Sequence, residues 1–353
     1  MYVFLVLSWL DTEIILEITS SNHHINDGDV ELVRTYIATE VPRVISALVG
    51  ISEGEIKQIC TSRSLPPMRN INAWDGYDEV LAQIKKSVYI SRHNAYASLA
   101  NLSSVQDLNV RASFVHFPRL FLLLVETVHH MLGKNSKEND LPSQQQETKK
   151  YTVSRSCAET VREDKILEHI ALGLRNFSVV DRMALLCMPS RKRLVQAIVM
   201  IIDKDDKSYR SGYAKNACRF SITTVKNLAA DDESNAYAIS QYGGQRLFAI
   251  LSQIANSNND CKTHAASALN ALALDNRTAE LMAKTSSTIL DIAVAATSSN
   301  EIVGSNASYA LHNMLSFTTG EEFRRVLCQI TSCGVSKPNC ISSIKHDLIM
   351  EYS

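Results

Sequence analysis

Side chains able to act as nucleophiles, general bases or metal ligands are plentiful in this sequence, but few of them fall into a catalytic spacing. There is no glycine-rich loop of the GxxxxGK type for a phosphate and no HExxH helix for a catalytic zinc. Such motifs bring their reacting groups to one turn or one helical face, which scattered residues do not achieve. We therefore expect a noncatalytic protein without a cofactor.

Three cysteines and a histidine near the carboxyl end form the clearest group of metal-ligand residue types. Structural zinc sites usually pair their ligands in short CxxC knuckles, and this group contains none. Its first cysteine also lies in an apolar pattern typical of a helix. Chance clustering is the favoured interpretation and structural zinc the alternative. The residues are Cys328, Cys333, Cys340 and His346.

The most informative pattern is a short phrase that recurs five times. It has a small residue, an apolar residue, a variable residue, a position that is usually Asn, and a second apolar residue. Self-similarity of this kind is the signature of a repeat architecture. The copies read SLANLS, GLRNFS, TVKNLA, ALNALA and ALHNML, with Asn101, Asn176, Asn227, Ala271 and Asn313 at the Asn position.

The spacing of the phrase matches a helical repeat. The last three copies are separated by 44 and 42 residues, within the period of roughly 40 to 47 residues found in armadillo and HEAT repeats. The two longer intervals contain polar stretches without periodicity, at 134–156 and 203–212. Both stretches are predicted to be insertions. The longer one is interpreted as a disordered loop, with a regulatory segment as the alternative.

Each unit is predicted to contain three helices. A polar break and a short apolar helix follow the phrase, and a breaker then opens a longer apolar helix. The breakers are the pair Gly243 and Gly244, Pro118, and Pro189; glycine ends a helix with a left-handed residue, and proline suits the first turn of the next. The third helix carries the phrase and is apolar on more than one face, so neighbouring units must stack to bury it.

The phrase, the Asn-Arg pair at 276–277, the Gly-Gly pair and the Leu-rich helices together resemble the armadillo repeat family. The resemblance is best over 213–316 and looser over 80–203. It implies an all-α fold, a right-handed α-α superhelix of about five three-helix repeats. HEAT repeats share the period, but they fit less well because their units have two helices.

The extent of the repeat pattern and the position of its insertions predict the domain organisation. The apolar start at 1–10 is too short to span a bilayer and lacks a basic leading region. We interpret it as a first helix or the edge of an imperfect gene model, with a secretory signal as the alternative. The expected parts are an N-terminal helical segment or cap at 1–77, armadillo-like units at 78–133, the insertion at 134–156, armadillo repeats at 157–331 and a tail at 332–353.

In armadillo proteins the third helices line a concave groove, so the resemblance implies a binding surface on the helices that carry the phrase. The Asn can pair with the backbone of an extended peptide because an amide has both a donor and an acceptor. Residues one and two turns earlier share its helical face. A structural role for the Asn within the scaffold is the alternative. The candidate groove residues are Asn101, Asn176, Asn227, Asn313, His169, Phe220, His264, Asn306 and Tyr309.

The predicted groove differs from two armadillo subclasses. Import adaptors of the importin-alpha type carry a Trp four residues before each Asn, whereas both tryptophans of this chain lie outside the phrases. A strongly basic groove of the beta-catenin kind is not expected, because Arg175, Arg219 and Lys226 are accompanied by Glu168 and neutral groups. His169 and His264 are expected to be solvated groove histidines rather than shared metal ligands.

The charge balance bears on the partner. Lys and Arg number 36 against 37 Asp and Glu, so the chain lacks the global basic field that attracts nucleic acid or membrane surfaces. Eight scattered cysteines are typical of reduced thiols in the cytoplasm or nucleus. The sequence thus predicts a scaffold or adaptor that binds an extended segment of another protein. A nuclear-transport adaptor and a regulatory region of a larger, possibly enzymatic, protein are the alternatives.

Overall fold

All described secondary structure is helical, which confirms the predicted all-α class. The computed structural model describes residues 89–90, 92–101, 103–104, 118–133, 157–180, 191–204, 211–230, 233–258 and 260–317. The helices are α1 (92–101), α2 (Pro118–Gly133), α3 (Cys157–Val180), α4 (Arg191–Asp203), α5 (Gly212–Ala229), α6 (Glu233–Asn256), α7 (Lys262–Ala273), α8 (Asn276–Ala283), α9 (Ser286–Ala296) and α10 (Glu301–Phe317).

The chain divides into two compact units, an N-terminal unit at Met1–Gly173 and a C-terminal unit at Leu174–Ser353. The division falls inside α3. In neither unit is a described helix long and apolar enough to cross a bilayer. The Cys328 to His346 group, the 134–156 insertion, both tryptophans and Pro189 lie outside the described residues.

The C-terminal unit contains two consecutive helix triplets. Helix α6 is broken at Gly244 into a first and a second helix, and α7 is the third; α8, α9 and α10 repeat this order. The third helices α5, α7 and α10 pack in sequence, and so do the second helices α4, α6 and α9. This stacking of three-helix units in layers is the armadillo-type repeat, so the predicted fold is confirmed over the described part of 211–317.

Helix α7 shows why one unit could not fold alone. Its small and apolar side chains are buried on several sides, against α5, α6 and α10. Alanines allow these helices to approach closely, and each buried leucine contributes roughly 2 kcal/mol by removal from water. The buried residues of α7 are Ala265, Ala266, Ala268, Leu269, Ala271, Leu272 and Ala273.

The break in α6 is local and depends on one residue. Gly244 has φ 58° and ψ −162°, a combination that is essentially restricted to glycine. The predicted glycine breaker is therefore confirmed, although its ψ lies outside the left-handed helical well. The second half of α6 then packs Leu247, Phe248 and Leu251 into the core.

In the N-terminal unit, α1 and α2 are joined through buried side chains. The hydroxyls of Tyr96 and Thr127 share a hydrogen bond, and both residues are buried. Burial of the Tyr96 phenol raises its pKa above the usual range. Pro118 opens α2, as its suitability for a first helical turn predicts.

Candidate protein-binding surface on the third helices

Helix α5 separates its residues into a buried and an open face. Ala217, Ile222, Val225 and Leu228 lie in the core. The open face follows helical spacing and contains two of the predicted groove residues, Phe220 and Asn227. The residues left exposed or half-buried along it are Asn216, Arg219, Phe220, Thr223, Lys226 and Asn227.

Helices α7 and α10 continue this open surface along the C-terminal unit. We call it the third-helix face. His264, predicted as a groove residue, is half-buried on α7, and Tyr309 on α10 is 62% exposed. The third-helix face comprises Arg175 and Asn176 of α3, the α5 residues just named, His264, Ser267 and Asn270 of α7, and Asn306, Tyr309 and Asn313 of α10.

A cation–aromatic cluster occupies the face where α3 meets α5. The guanidinium carbon of Arg175 lies 5.4 Å from the centre of the Phe220 ring, and that of Arg219 lies 5.2 Å from it. One ring thus holds two cations, since the negative face of the ring quadrupole attracts positive charge. Arg219 also donates to the side-chain oxygen of Asn216 at 3.1 Å.

The electrostatic environment of this cluster is positive. Burial lowers the pKa of His264, and the charges of Arg219, Lys226 and Arg175 lower it further. Phrase helices of the C-terminal unit, as far as they are described, carry a single acidic residue, Glu301 at the start of α10. Positive charge therefore predominates on the described phrase helices of this unit.

The amide of Asn227 links two repeats. Its nitrogen donates to the Ser178 hydroxyl at 3.0 Å and to the Arg175 carbonyl at 3.5 Å. The donor half of this amide therefore supports the scaffold. The residue equivalent to Ser178 on α7 is Ala273, which has no hydroxyl to offer Asn313.

The fourth phrase copy, which lacks the usual Asn, supplies an amide from the neighbouring position. Ala271 is buried, while the Asn270 nitrogen donates to the side-chain oxygen of Asn306 at 3.2 Å. Asn306 in turn donates to the Ile302 carbonyl at 2.8 Å. Asn270 was not among the predicted groove residues; its spacing of three from Ser267 is the signal that places it on the open face.

The remaining predicted residues lie in different surroundings. Asn176 and Asn313 are half-buried, and Asn101 is exposed on α1 of the N-terminal unit. His169 also belongs to the N-terminal unit, where its ring packs on His93 with 4.9 Å between centres. Burial, His93 and Lys165, in that order, lower the His169 pKa to about 4. His169 is thus half-buried against a second histidine ring.

Potential metal ligands do not cluster in the described part of the chain. It contains no group of three or more His, Cys, Asp and Glu side chains that could hold a metal ion. Residues 50–54 read G-I-S-E-G and match the G-x-S-x-G motif of a nucleophile elbow. The expectation of a noncatalytic chain did not take this match into account. That motif requires a strand-to-helix turn around its serine, and 50–54 lie outside the described residues, so no role is assigned to it.

Comparison with known proteins yields structural likeness only. No protein-family model matches the chain, and no curated protein matches it. Two designed armadillo repeat proteins, one of them designed for modular peptide recognition, are 11% identical to it and cover 85% of this chain and 98% of their own, with TM-scores of 0.45 and 0.43. An engineered protein with 15% identity covers 88% of this chain and 99% of its own at a TM-score of 0.45. The repeat assignment rests on the helix packing described above.

Proposed function

We propose that this protein is a noncatalytic scaffold that binds an extended segment of another protein along the third-helix face. The observation that carries the proposal is the recurrence of half-buried amides on successive third helices of one compact unit. Asn176, Asn227, Asn270 and Asn313 lie on α3, α5, α7 and α10. Recurring amides on stacked helices suit recognition of a regular polymer such as a peptide backbone.

The spacing of packed helices is compatible with an extended ligand. Neighbouring helices pack about 8–10 Å apart, and an extended chain advances about 3.3 Å per residue. Each third helix would therefore meet the peptide about once every three residues. An amide at each meeting point offers both a donor and an acceptor to the peptide backbone, although the Asn227 nitrogen is already used within the scaffold.

An import adaptor for basic localisation peptides fits this surface less well. The positions four residues before the phrase Asn hold Thr223 and Ser267 on α5 and α7, not Trp. Arg219 and Lys226 beside them would also repel lysine side chains. The scattered cysteines of the sequence support action in the cytoplasm or nucleus. A role as the regulatory region of a larger protein is compatible with the same binding surface.

Binding to an array of immobilised twelve-residue peptides of varied sequence tests the proposed function. The full chain should select a subset of peptides, whose dissociation constants are then measured by fluorescence anisotropy. A triple variant, Asn176→Ala, Asn227→Ala and Asn313→Ala, should bind them at least 10-fold more weakly, since each lost hydrogen bond is worth about 1 kcal/mol. Circular dichroism should show little loss of helicity.

The matched control changes two exposed residues away from the third helices, Gln253→Ala on α6 and Glu280→Ala on α8. This variant should retain the affinity of the unaltered chain. Equal affinities for the triple variant and the unaltered chain would contradict the assignment of the third-helix face as the binding surface.

A further inference from the structure

The structure pairs none of the three cations of the third-helix face with a described carboxylate. Arg175 and Arg219 share the Phe220 ring, and Lys226 lies two turns after Arg219 on the exposed side of α5. Two arginines on other helices do have acidic partners: Arg246 of α6 pairs with Asp203, and Arg277 of α8 with Asp275.

The arrangement also brings these cations close together, where their positive charges repel one another. The guanidinium carbons of Arg175 and Arg219 both lie within 5.4 Å of the centre of the Phe220 ring, which limits the distance between them. Both guanidiniums and the Lys226 ammonium act on the imidazole of His264 across the face. Arg175 is half-buried, whereas Arg219 and Lys226 are exposed. Neighbouring like charges repel one another, and a bound anion relieves that repulsion.

We infer that Arg175, Arg219 and Lys226, with Phe220 as the apolar floor, form a subsite for acidic side chains of the bound segment. The inference rests on the proposed function and deepens it by naming the class of partner, an extended peptide rich in Asp or Glu. Guanidinium groups bind carboxylates through paired, charge-assisted hydrogen bonds. The Phe220 ring packs against the methylene groups of Glu side chains.

The distance between the two arginines suggests the spacing of the acidic residues. A segment that crosses α3 and then α5 meets Arg175 and Arg219 in turn. Their separation is at most about the length of three extended residues, roughly 10 Å. Alternate residues of an extended segment face the same side and lie about 6.6 Å apart, within this limit, so a peptide with an acidic residue at every second position is the natural probe.

A peptide is favoured over a nucleic acid because the positive charge is local. The whole chain has a net charge of -1, whereas nucleic-acid binding relies on many phosphate contacts over a broad basic surface. The cluster supplies three cations over two helices, enough for two or three carboxylates. An oligonucleotide nevertheless belongs in the test as a competitor.

The test measures the binding of four fluorescent probes to the full chain by anisotropy. Three are twelve-residue peptides with Glu, Gln or Lys at every second position in a common background of Ala, Ser and Thr; the fourth is a twelve-nucleotide oligo(dT). The Glu peptide should bind at least 10-fold more tightly than the Gln peptide. This preference should weaken when salt is raised from 0.05 to 0.3 M, because ions screen exposed charges.

Two charge variants make the assignment specific. Arg219→Gln with Lys226→Gln should reduce the preference for Glu over Gln to 2-fold or less. The reversal variant, Arg219→Glu with Lys226→Glu, should prefer the Lys peptide. The matched control, Lys192→Gln with Lys284→Gln, makes the same change in net charge at exposed lysines outside the third-helix face and should keep the preference, with helicity checked for every variant.

The outcomes separate this inference from the proposed function. If the Glu and Gln peptides bind equally and the triple Asn variant weakens both, the acidic subsite is wrong and the binding face stands. If no peptide binds here or on the array, both fail. Tighter binding of oligo(dT) than of the Glu peptide would overturn the inference in favour of nucleic acid.

Discussion

Asp275 is a carboxylate with no exposed surface, and its hydrogen bonds explain how it tolerates burial. It caps α8, accepting from the Thr278 backbone nitrogen at 2.8 Å and from the Thr278 hydroxyl at 2.7 Å. Arg277 donates to its other oxygen at 3.2 Å and lies 4.1 Å from the Tyr237 ring of α6. One side chain thus fixes the start of α8 and, through Arg277, its contact with the preceding repeat.

Replacing this cap should be costly. Asp275→Ala is expected to lower the free energy of unfolding by about 2–3 kcal/mol, because it removes a cap and leaves buried donors on Thr278 without an acceptor. Urea denaturation followed by circular dichroism measures the change. Thr285→Ala is the control: Thr285 precedes α9, but its side chain makes no capping bond, so a change within about 0.5 kcal/mol is expected. Similar losses in both variants would refute the role given to Asp275.

At the residue scale, the sequence predicted which positions are polar on the third helices but not where their hydrogen bonds go. Helical spacing within each phrase helix, together with the alignment of the repeats, places Phe220, Asn227, His264 and Tyr309 on equivalent faces. The bond from Asn227 to Ser178 joins residues 49 positions apart, and no local pattern encodes it. Whether these residues contact a ligand stays a prediction.

Among the elements, α6 tests the importance of a single backbone conformation. Gly244 has a positive φ of 58°, and a Cβ there would meet no neighbouring atom. Any loss on substitution therefore reports backbone strain rather than a clash. Gly244→Ala and Gly244→Asn should both lower the free energy of unfolding by about 1–3 kcal/mol, since this region suits glycine alone.

Gly212, the first residue of α5, is the matched control for Gly244. A Cβ added there also meets open space, and its φ is not positive. Gly212→Ala should therefore leave stability unchanged or raise it by up to about 1 kcal/mol, because alanine favours the helix. Chemical denaturation of the three variants gives the comparison, and a loss at Gly212 equal to that at Gly244 would argue against the strain explanation.

Helices and their order were more predictable than their packing partners. The period of 44 and 42 residues and the glycine breaker predict three helices per unit, and the triplets α6 to α10 have that form. The concentration of positive charge was not predictable, because Arg175 and Arg219 are 44 positions apart and come together only when α3 and α5 pack on each other around Phe220.

For the molecule as a whole, the His93 and His169 pair predicts the response of stability to acid. Burial lowers the pKa of both rings in the folded chain, so the unfolded chain, with a histidine pKa near 6.5, binds more protons. The stability is fully present above that value and is lost as the pH falls through the folded pKa, about 4 for His169. Unfolding free energies should fall by about 1 kcal/mol between pH 6.5 and 5.

The variant His169→Gln provides the check. It removes one of the two rings and with it part of the proton uptake on unfolding, so its stability should depend less on pH over the same interval. Urea titrations at several pH values measure both slopes. His312→Gln is the control, since His312 is exposed on α10 and should keep the slope of the unaltered chain; a slope unaffected by His169→Gln would contradict the assignment.

The amide bridges between third helices restrict how this array can change in length. Asn227 of α5 bonds backwards to α3, whereas Asn270 of α7 bonds forwards to α10. Lys226 and Asn270 hold the same position in their phrases. If the repeat between α5 and α10 were removed, Lys226 would therefore take the place of Asn270 and face Asn306. The repeats are therefore not interchangeable modules, and insertion or removal of whole units is better tolerated at an end of the array than within 211–317.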